Sequence, residues 1–153
     1  MPIEVLLVED NPGDIQLMEE AFHTVNPLIF LHIVRDGVEA MAFLRRQGPY
    51  VVAPRPDLVL LDLNLPKMDG REVLAHIKLD DELKTIPTVV VTSSQADADI
   101  AKSYELHANS YITKPMQFDA FLTLVKSISD FWLTHAKAPP RRNAAVLSDG
   151  PRS

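Results

Sequence analysis

The chain contains no cysteine in 153 residues, which excludes disulfides, thiolate metal sites and thiol nucleophiles. No apolar run approaches the ~20 residues that a membrane-spanning helix needs. The N-terminus has no basic segment, and Glu4 interrupts its apolar stretch, so it does not read as a signal peptide. A cytoplasmic protein is expected. The histidines (His23, His32, His76, His107 and His135) show no metal-ligand spacing. A basic surplus is missing too: residues 1–133 hold 20 acidic and 11 basic side chains. That balance argues against nucleic-acid binding by the folded part.

The remaining composition is that of an ordinary globular domain, 46% hydrophobic and 24% charged. It suffices for one domain with a full core. Residues 134–153 differ, with one acidic and four basic side chains among Ala, Pro, Asn, Ser and Gly. This basic, proline-rich tail lacks the apolar content to pack and is expected to be disordered. The domain boundary therefore falls near residue 133.

Within residues 1–133 the run Leu58-Val-Leu-Leu-Asp62-Leu-Asn64-Leu-Pro66 stands out. An apolar run without polar alternation reads as a strand buried on both faces, the signature of a parallel sheet. Four further strands are expected at Ile3–Val8, Ile29–Val34, Thr88–Val91 and Ser110–Ile112. Helical spacing links Ile15, Met18, Phe22 and Val25, then Val38, Met41, Ala42 and Leu44, then Val73, Leu74 and Ile77. A weaker fourth helix spans Ala96 to Leu106, and a long fifth spans Phe118 to Leu133. Pro49 to Pro56 reads as a rigid loop. Such alternation implies an α/β fold, a doubly wound five-stranded parallel sheet with helices on both faces.

In that fold the carboxyl edge of the sheet collects Glu9 and Asp10 after the first strand and Asp62 after the third. Thr92 ends the fourth strand and Lys114 follows the fifth. Ligands of open α/β sheets bind at this edge. Three carboxylates about 4 Å apart repel by roughly 4 kcal/mol per ionised pair at an effective dielectric near 20. A cation or Lys114 must compensate. Hard oxygen donors without His or Cys suit Mg²⁺. A carboxylate beside a metal, a hydroxyl and a lysine is what an aspartyl phosphate requires.

The order Glu-Asp, Asp, Thr, Lys-Pro on βα units of this spacing resembles the response-regulator receiver domain of two-component signalling, the flavodoxin-like (βα)5, CheY-like fold. The resemblance covers residues 2 to about 133. It implies that Asp62 is the phosphoacceptor and that Asp10, Asp62 and the Asn64 carbonyl ligate Mg²⁺, with Glu9 acting through a metal-bound water. It implies further that Thr92 and Lys114 hold the phosphoryl oxygens, that Tyr111 is the switch aromatic, and that the Lys114–Pro115 bond is cis. Read from its residues alone, Tyr111 also fits a half-buried strand aromatic, and Thr92 fits a strand-end hydroxyl better than a switch. Val8-Glu-Asp-Asn-Pro-Gly-Asp14, Asp36-Gly-Val-Glu-Ala40 and Asp130-Phe-Trp-Leu133 resemble single-domain regulators of cyanobacterial and bacterial phytochromes. The expected function is that of a phosphoacceptor signalling protein rather than an enzyme. It would take its phosphoryl group from a histidine kinase, a phytochrome by this resemblance, and assist its own phosphotransfer and dephosphorylation.

On the last helix Phe118, Phe121, Val125, Ile128 and Trp132 form the core stripe. Leu124 and Phe131 fall outside it, aligned with each other. With Tyr104 on the fourth helix and the fifth strand they are expected to form a homodimer surface. Two other functions compete. A haloacid-dehalogenase-type phosphatase also uses an aspartate nucleophile, here Asp62, but needs a second Asp two residues on, where this chain has Asn64. A flavodoxin-like FMN module needs a Ser/Thr/Gly-rich loop after the first strand, where Glu9-Asp10-Asn11-Pro12 would repel a phosphate.

Overall fold

The structure is a computed structural model, and it describes residues 3–93, 108, 110–114 and 117–131. Five strands, β1 (Ile3–Val8), β2 (Ile29–Val34), β3 (Leu58–Leu61), β4 (Thr88–Thr92) and β5 (Ser110–Thr113), form one sheet. All pairings are parallel and the order is β2-β1-β3-β4-β5. The described helices are α1 (Pro12–Val25), α2 (Gly37–Arg45), α3 (Gly70–Leu79) and the last helix, here α4 (Phe118–Ile128). The expected helix at Ala96–Leu106 lies outside the described residues, as do Tyr104, Pro115 and its peptide bond, Trp132, and the tail.

The helices α1 and α2 start soon after a strand ends, α3 only after the longer segment 62–69, and a side chain caps each start. Asn11 accepts from the Asp14 N–H, Asp36 from the Glu39 N–H, and Asp69 from the Arg71 N–H, at 3.0, 2.7 and 3.0 Å. Such caps satisfy N–H groups that the helix itself leaves unpaired. Pro12 begins α1, where its missing N–H costs nothing.

Alternation along the buried strands builds two cores. Leu6, Val8, Val59, Leu61 and Val90 face α2 and α3, meeting Met41, Leu44, Val73, Leu74 and Ile77. Val5, Leu7, Leu58, Leu60, Val89 and Val91 face α1 and α4, meeting Met18, Phe22, Phe121, Val125 and Ile128. Both faces of β3 are fully covered, as its unbroken apolar run requires.

Three details depart from the expected pattern. Val38 is 51% exposed, while Ala40 and Phe43 join Met41 and Leu44 in the buried face of α2. Phe43 is covered because a 3-10 turn at Gly48–Tyr50 folds the Tyr50 ring against it, 5.4 Å between centroids. The apolar run outlasts β3: Leu63 is fully buried beyond the strand end, and its carbonyl accepts from the Gly70 N–H at 3.0 Å. Leu124 is not free on the surface. It is half-buried and packs against the α1-side core. Phe131 is 56% exposed, and the wider π turn at residues 129–131 takes it off the straight seven-residue alignment with Leu124.

Candidate functional site at the carboxyl edge

The strand order reverses between β1 and β3, so a crevice opens beyond their carboxyl ends. Glu9 is fixed there by its N–H to the Val34 carbonyl (3.0 Å), and Asp62 by its N–H to the Val8 carbonyl (3.1 Å). Lys114 follows β5, its N–H donating to the Thr92 carbonyl at 2.8 Å. Sheet hydrogen bonds thus place three of the five expected residues directly. The sequence folds this way locally because Glu9 and Asp62 immediately follow the buried apolar strands β1 and β3, Thr92 ends buried β4, and Lys114 follows the half-buried edge strand β5.

The side chains converge. One carboxylate oxygen from each of Glu9, Asp10 and Asp62 lies within 4.8 Å of the others. Glu9 and Asp62 are buried, at 3% and 5% exposure, and Asp10 is exposed. Lys114 Nζ donates to Glu9 Oε1 at 2.6 Å, Asp14 Oδ2 at 2.9 Å and Asp62 Oδ2 at 3.2 Å. The far oxygen of Glu9 accepts from the Asn11 N–H at 3.2 Å. Asp62 Oδ1 accepts from the Asn64 N–H at 3.3 Å, closing a tight turn over the carboxylate. Thr92 is fully buried at the end of β4. Tyr111 is half-buried against the core under α2 and α3, paired with Val90 and so two residues below Thr92 in the register.

Asp14 is the residue that sequence reasoning missed. Its one local signal was an acid in the first turn of a helix, which the helix dipole explains by itself. The Lys114 side chain, from just beyond β5, reaches across the crevice to its carboxylate.

The electrostatics favour a further positive charge. Carboxylates whose oxygens lie within 4.8 Å of one another repel by at least roughly 3 kcal/mol per ionised pair at an effective dielectric near 20. Burial pushes the Glu9 carboxyl up to about 7, with the Lys114 hydrogen bond opposing and the Asp62 charge adding to the rise. Burial alone would lower the Lys114 ammonium, but its bonds to Glu9 and Asp14 and the surrounding negative charge outweigh that and raise it. Lys114 is therefore a fixed cation that neutralises only part of the cluster. The donor set consists of hard oxygens and lies partly open to solvent through Asp10, which suits a divalent cation of the Mg²⁺ or Mn²⁺ type.

Comparison with known proteins identifies the family and the fold. Residues 5–126 match the family model described as the response regulator receiver domain. The chain is 49% identical over 138 residues to the response regulator Rcp1 of Synechocystis sp., covering 90% of this chain and 94% of that one. It superposes on the phosphorylated cyanobacterial phytochrome response regulator RcpA with a TM-score of 0.87 at 51% identity, covering 91% of this chain and 99% of that one. The Mn²⁺-bound form of Rcp1 gives a TM-score of 0.83 at 48% identity, covering 90% and 99%. None of these similarities supports the phosphatase alternative. Fold, strand order and family model agree, and the chain belongs to the response regulator receiver domain family.

Proposed function

We propose that this receiver domain takes a phosphoryl group onto Asp62 from a histidine kinase and signals through the resulting change in partner binding or self-association. The observation that carries the reading is the placement of the Asp62 carboxylate, 3.2 Å from the Lys114 ammonium and beside Glu9 and Asp10. Loss of phosphoryl uptake in Asp62→Asn is its test.

In the reaction an Asp62 oxygen attacks phosphorus and the new O–P bond forms as the P–N bond of a phosphohistidine breaks. The departing imidazole keeps the electron pair and takes a proton from solvent. Lys114 offers an N–H to the equatorial oxygens, where negative charge accumulates. Mg²⁺, held by Asp10, Asp62 and the Asn64 carbonyl with Glu9 behind a bound water, would supply further charge neutralisation and in-line orientation. Thr92 turns its hydroxyl toward the phosphoryl group, and Tyr111 moves inward behind it. Similarity to the phytochrome response regulator RcpA favours a phytochrome as the kinase. A cytoplasmic setting fits such a partner, and no described helix is long and apolar enough to cross a membrane. The receiver unit ends near residue 133, with the basic tail beyond it.

Glu9 gives this reading a pH signature. Its carboxyl lies near 7 in the folded protein against 4.5 for the free group. Folding therefore favours the protonated form, and without metal this group's contribution to stability falls as pH rises through that interval. Cation binding needs the proton gone. Below pH 7 the apparent Mg²⁺ affinity should fall by up to about tenfold per pH unit and flatten above pH 8. Calorimetry in buffers of different ionisation heat should show proton release on Mg²⁺ binding near pH 7, absent in Glu9→Gln. Equal release in wild type and variant would assign the proton elsewhere.

Self-association is proposed through the last helix and the β5 edge, with Phe131 as the apolar contact now that Leu124 packs inward. Burying one Phe131 per subunit contributes about 1.5–3 kcal/mol each, so Phe131→Glu should weaken a dimer by roughly tenfold or more. Sedimentation at high micromolar concentration measures this. A variant that dimerises as well as wild type would remove the surface from consideration.

A further inference from the structure

Lys114 has three ammonium protons and three carboxylates at hydrogen-bond distance. Each donor is already committed, so an incoming phosphoryl oxygen must displace one of these partners. The three bonds are not equally easy to give up. Glu9 is 3% exposed, and its carboxylate would lose a partner away from water. Asp62 is the atom being modified. The Asp14 carboxylate is 25% exposed, so water can replace the lysine there at little cost.

We propose that Asp14 is a positioning residue: it holds the Lys114 ammonium in the resting state, and it is the partner Lys114 leaves on turning to the phosphoryl group. This inference rests on the reading of Asp62 as phosphoacceptor and adds how the lysine is stored. It also gives the switch a second output. Asp14 lies in the first turn of α1, and its N–H donates to Asn11, whose own N–H is held by the buried Glu9. The start of α1 is thus clamped to β5 through Lys114 in the resting state and unclamped after phosphorylation. The α1 helix packs against α4, so the release is felt on a different face from that of Tyr111.

The test is phosphorylation of the full chain by phosphoramidate at saturating Mg²⁺. The donor's P–N bond breaks and ammonia leaves after protonation by solvent. Asp14→Asn frees the ammonium and should raise the initial rate about fivefold, a partly exposed charge-assisted bond being worth that much. Asp14→Glu keeps the charge and should return the rate toward wild type. In the slower Lys114→Ala background the same Asp14→Asn substitution should change nothing, because its effect passes through the lysine. A residue that merely shaped α1 would change both backgrounds alike. Amide exchange at Ile15 should also quicken on phosphorylation of wild type but not of Asp14→Asn, whose clamp is already open. A rate that is unchanged or lower in Asp14→Asn, or an equal change in the Lys114→Ala background, overturns the proposal. Absence of labelling in the wild type would overturn the Asp62 reading instead, so the two failures are distinguishable.

Discussion

Asp62→Asn is expected to take up no phosphoryl group, whereas the wild type with Mg²⁺ and acetyl phosphate or a cognate kinase gains one that hydroxylamine removes. The amide has no anionic oxygen to attack phosphorus, and the other carboxylates of the cluster are poorly placed to substitute. Glu9 holds Lys114 and the Asn11 N–H, and Asp14 is itself bound to Lys114 and lies outside the Glu9, Asp10 and Asp62 cluster. The variant should nevertheless fold at least as well as wild type. Asp62 is buried within 4.8 Å of two like charges, and its charge is one cause of the raised Glu9 carboxyl. Neutralising it removes repulsion of roughly 3 kcal/mol per pair before screening and lost lysine contacts are counted. Loss of labelling together with an unchanged or raised melting temperature isolates chemistry from folding. Intact mass measurement reads the first and calorimetry the second. Undiminished labelling of the variant would sink the assignment.

What could be read in advance follows from which forces are local. Strands buried on both faces need continuous apolar runs, which marked β1, β3 and β4. The shorter apolar runs of the half-buried edge strands β2 and β5 were visible too, all to within a residue at each end. The carboxyl-edge residues were visible because each follows its run immediately. Packing that depends on distant chain was not visible. Phe43 is buried because the Tyr50 turn lies on it, and Leu63 because α3 begins beneath its carbonyl. Leu124 looked free on a helical wheel, which carries no information about the width of the groove beside α1. Asp14 pairs with a lysine 100 residues away, and its own neighbourhood offers a sufficient local reason for an acid. Gly37 and Gly70 each follow an Asp cap at a helix start, which by itself gives no sign of close packing. The structure shows that each marks a place where two backbones touch.

Gly70→Ala should therefore have a large effect at a position with no chemical group. A Cβ there would overlap the Asp62 carbonyl oxygen and lie 2.6 Å from Leu63 Cα and 3.0 Å from the Asp62 carbonyl carbon. All three are backbone atoms of the segment that carries Asp62, so no rotamer change relieves the contact. Either α3 moves out, or the turn over Asp62 does. Moving α3 uncovers Val73, Leu74 and Ile77, each fully buried. Moving the turn strains the bonds from the Asp62 N–H to Val8 and from the Gly70 N–H to Leu63. Either response should cost about 3 kcal/mol or more, a fall of roughly 10 °C in melting temperature for a domain of this size. Phosphoryl uptake should slow as well, because the Asp62 carboxylate shifts relative to Lys114 and a displacement of about 1 Å can cost on the order of a hundredfold. Gly13→Ala is the matched control. Its Cβ would meet only the Asn11 side-chain oxygen, at 3.3 Å, and alanine's better helix propensity offsets that by up to about 1 kcal/mol. Urea denaturation of both variants, followed by their labelling rates, separates the two positions. A Gly70→Ala protein within 1 kcal/mol of Gly13→Ala, labelled at the wild-type rate, would mean that the backbone under Asp62 yields freely and that the close approach of α3 does not set the site.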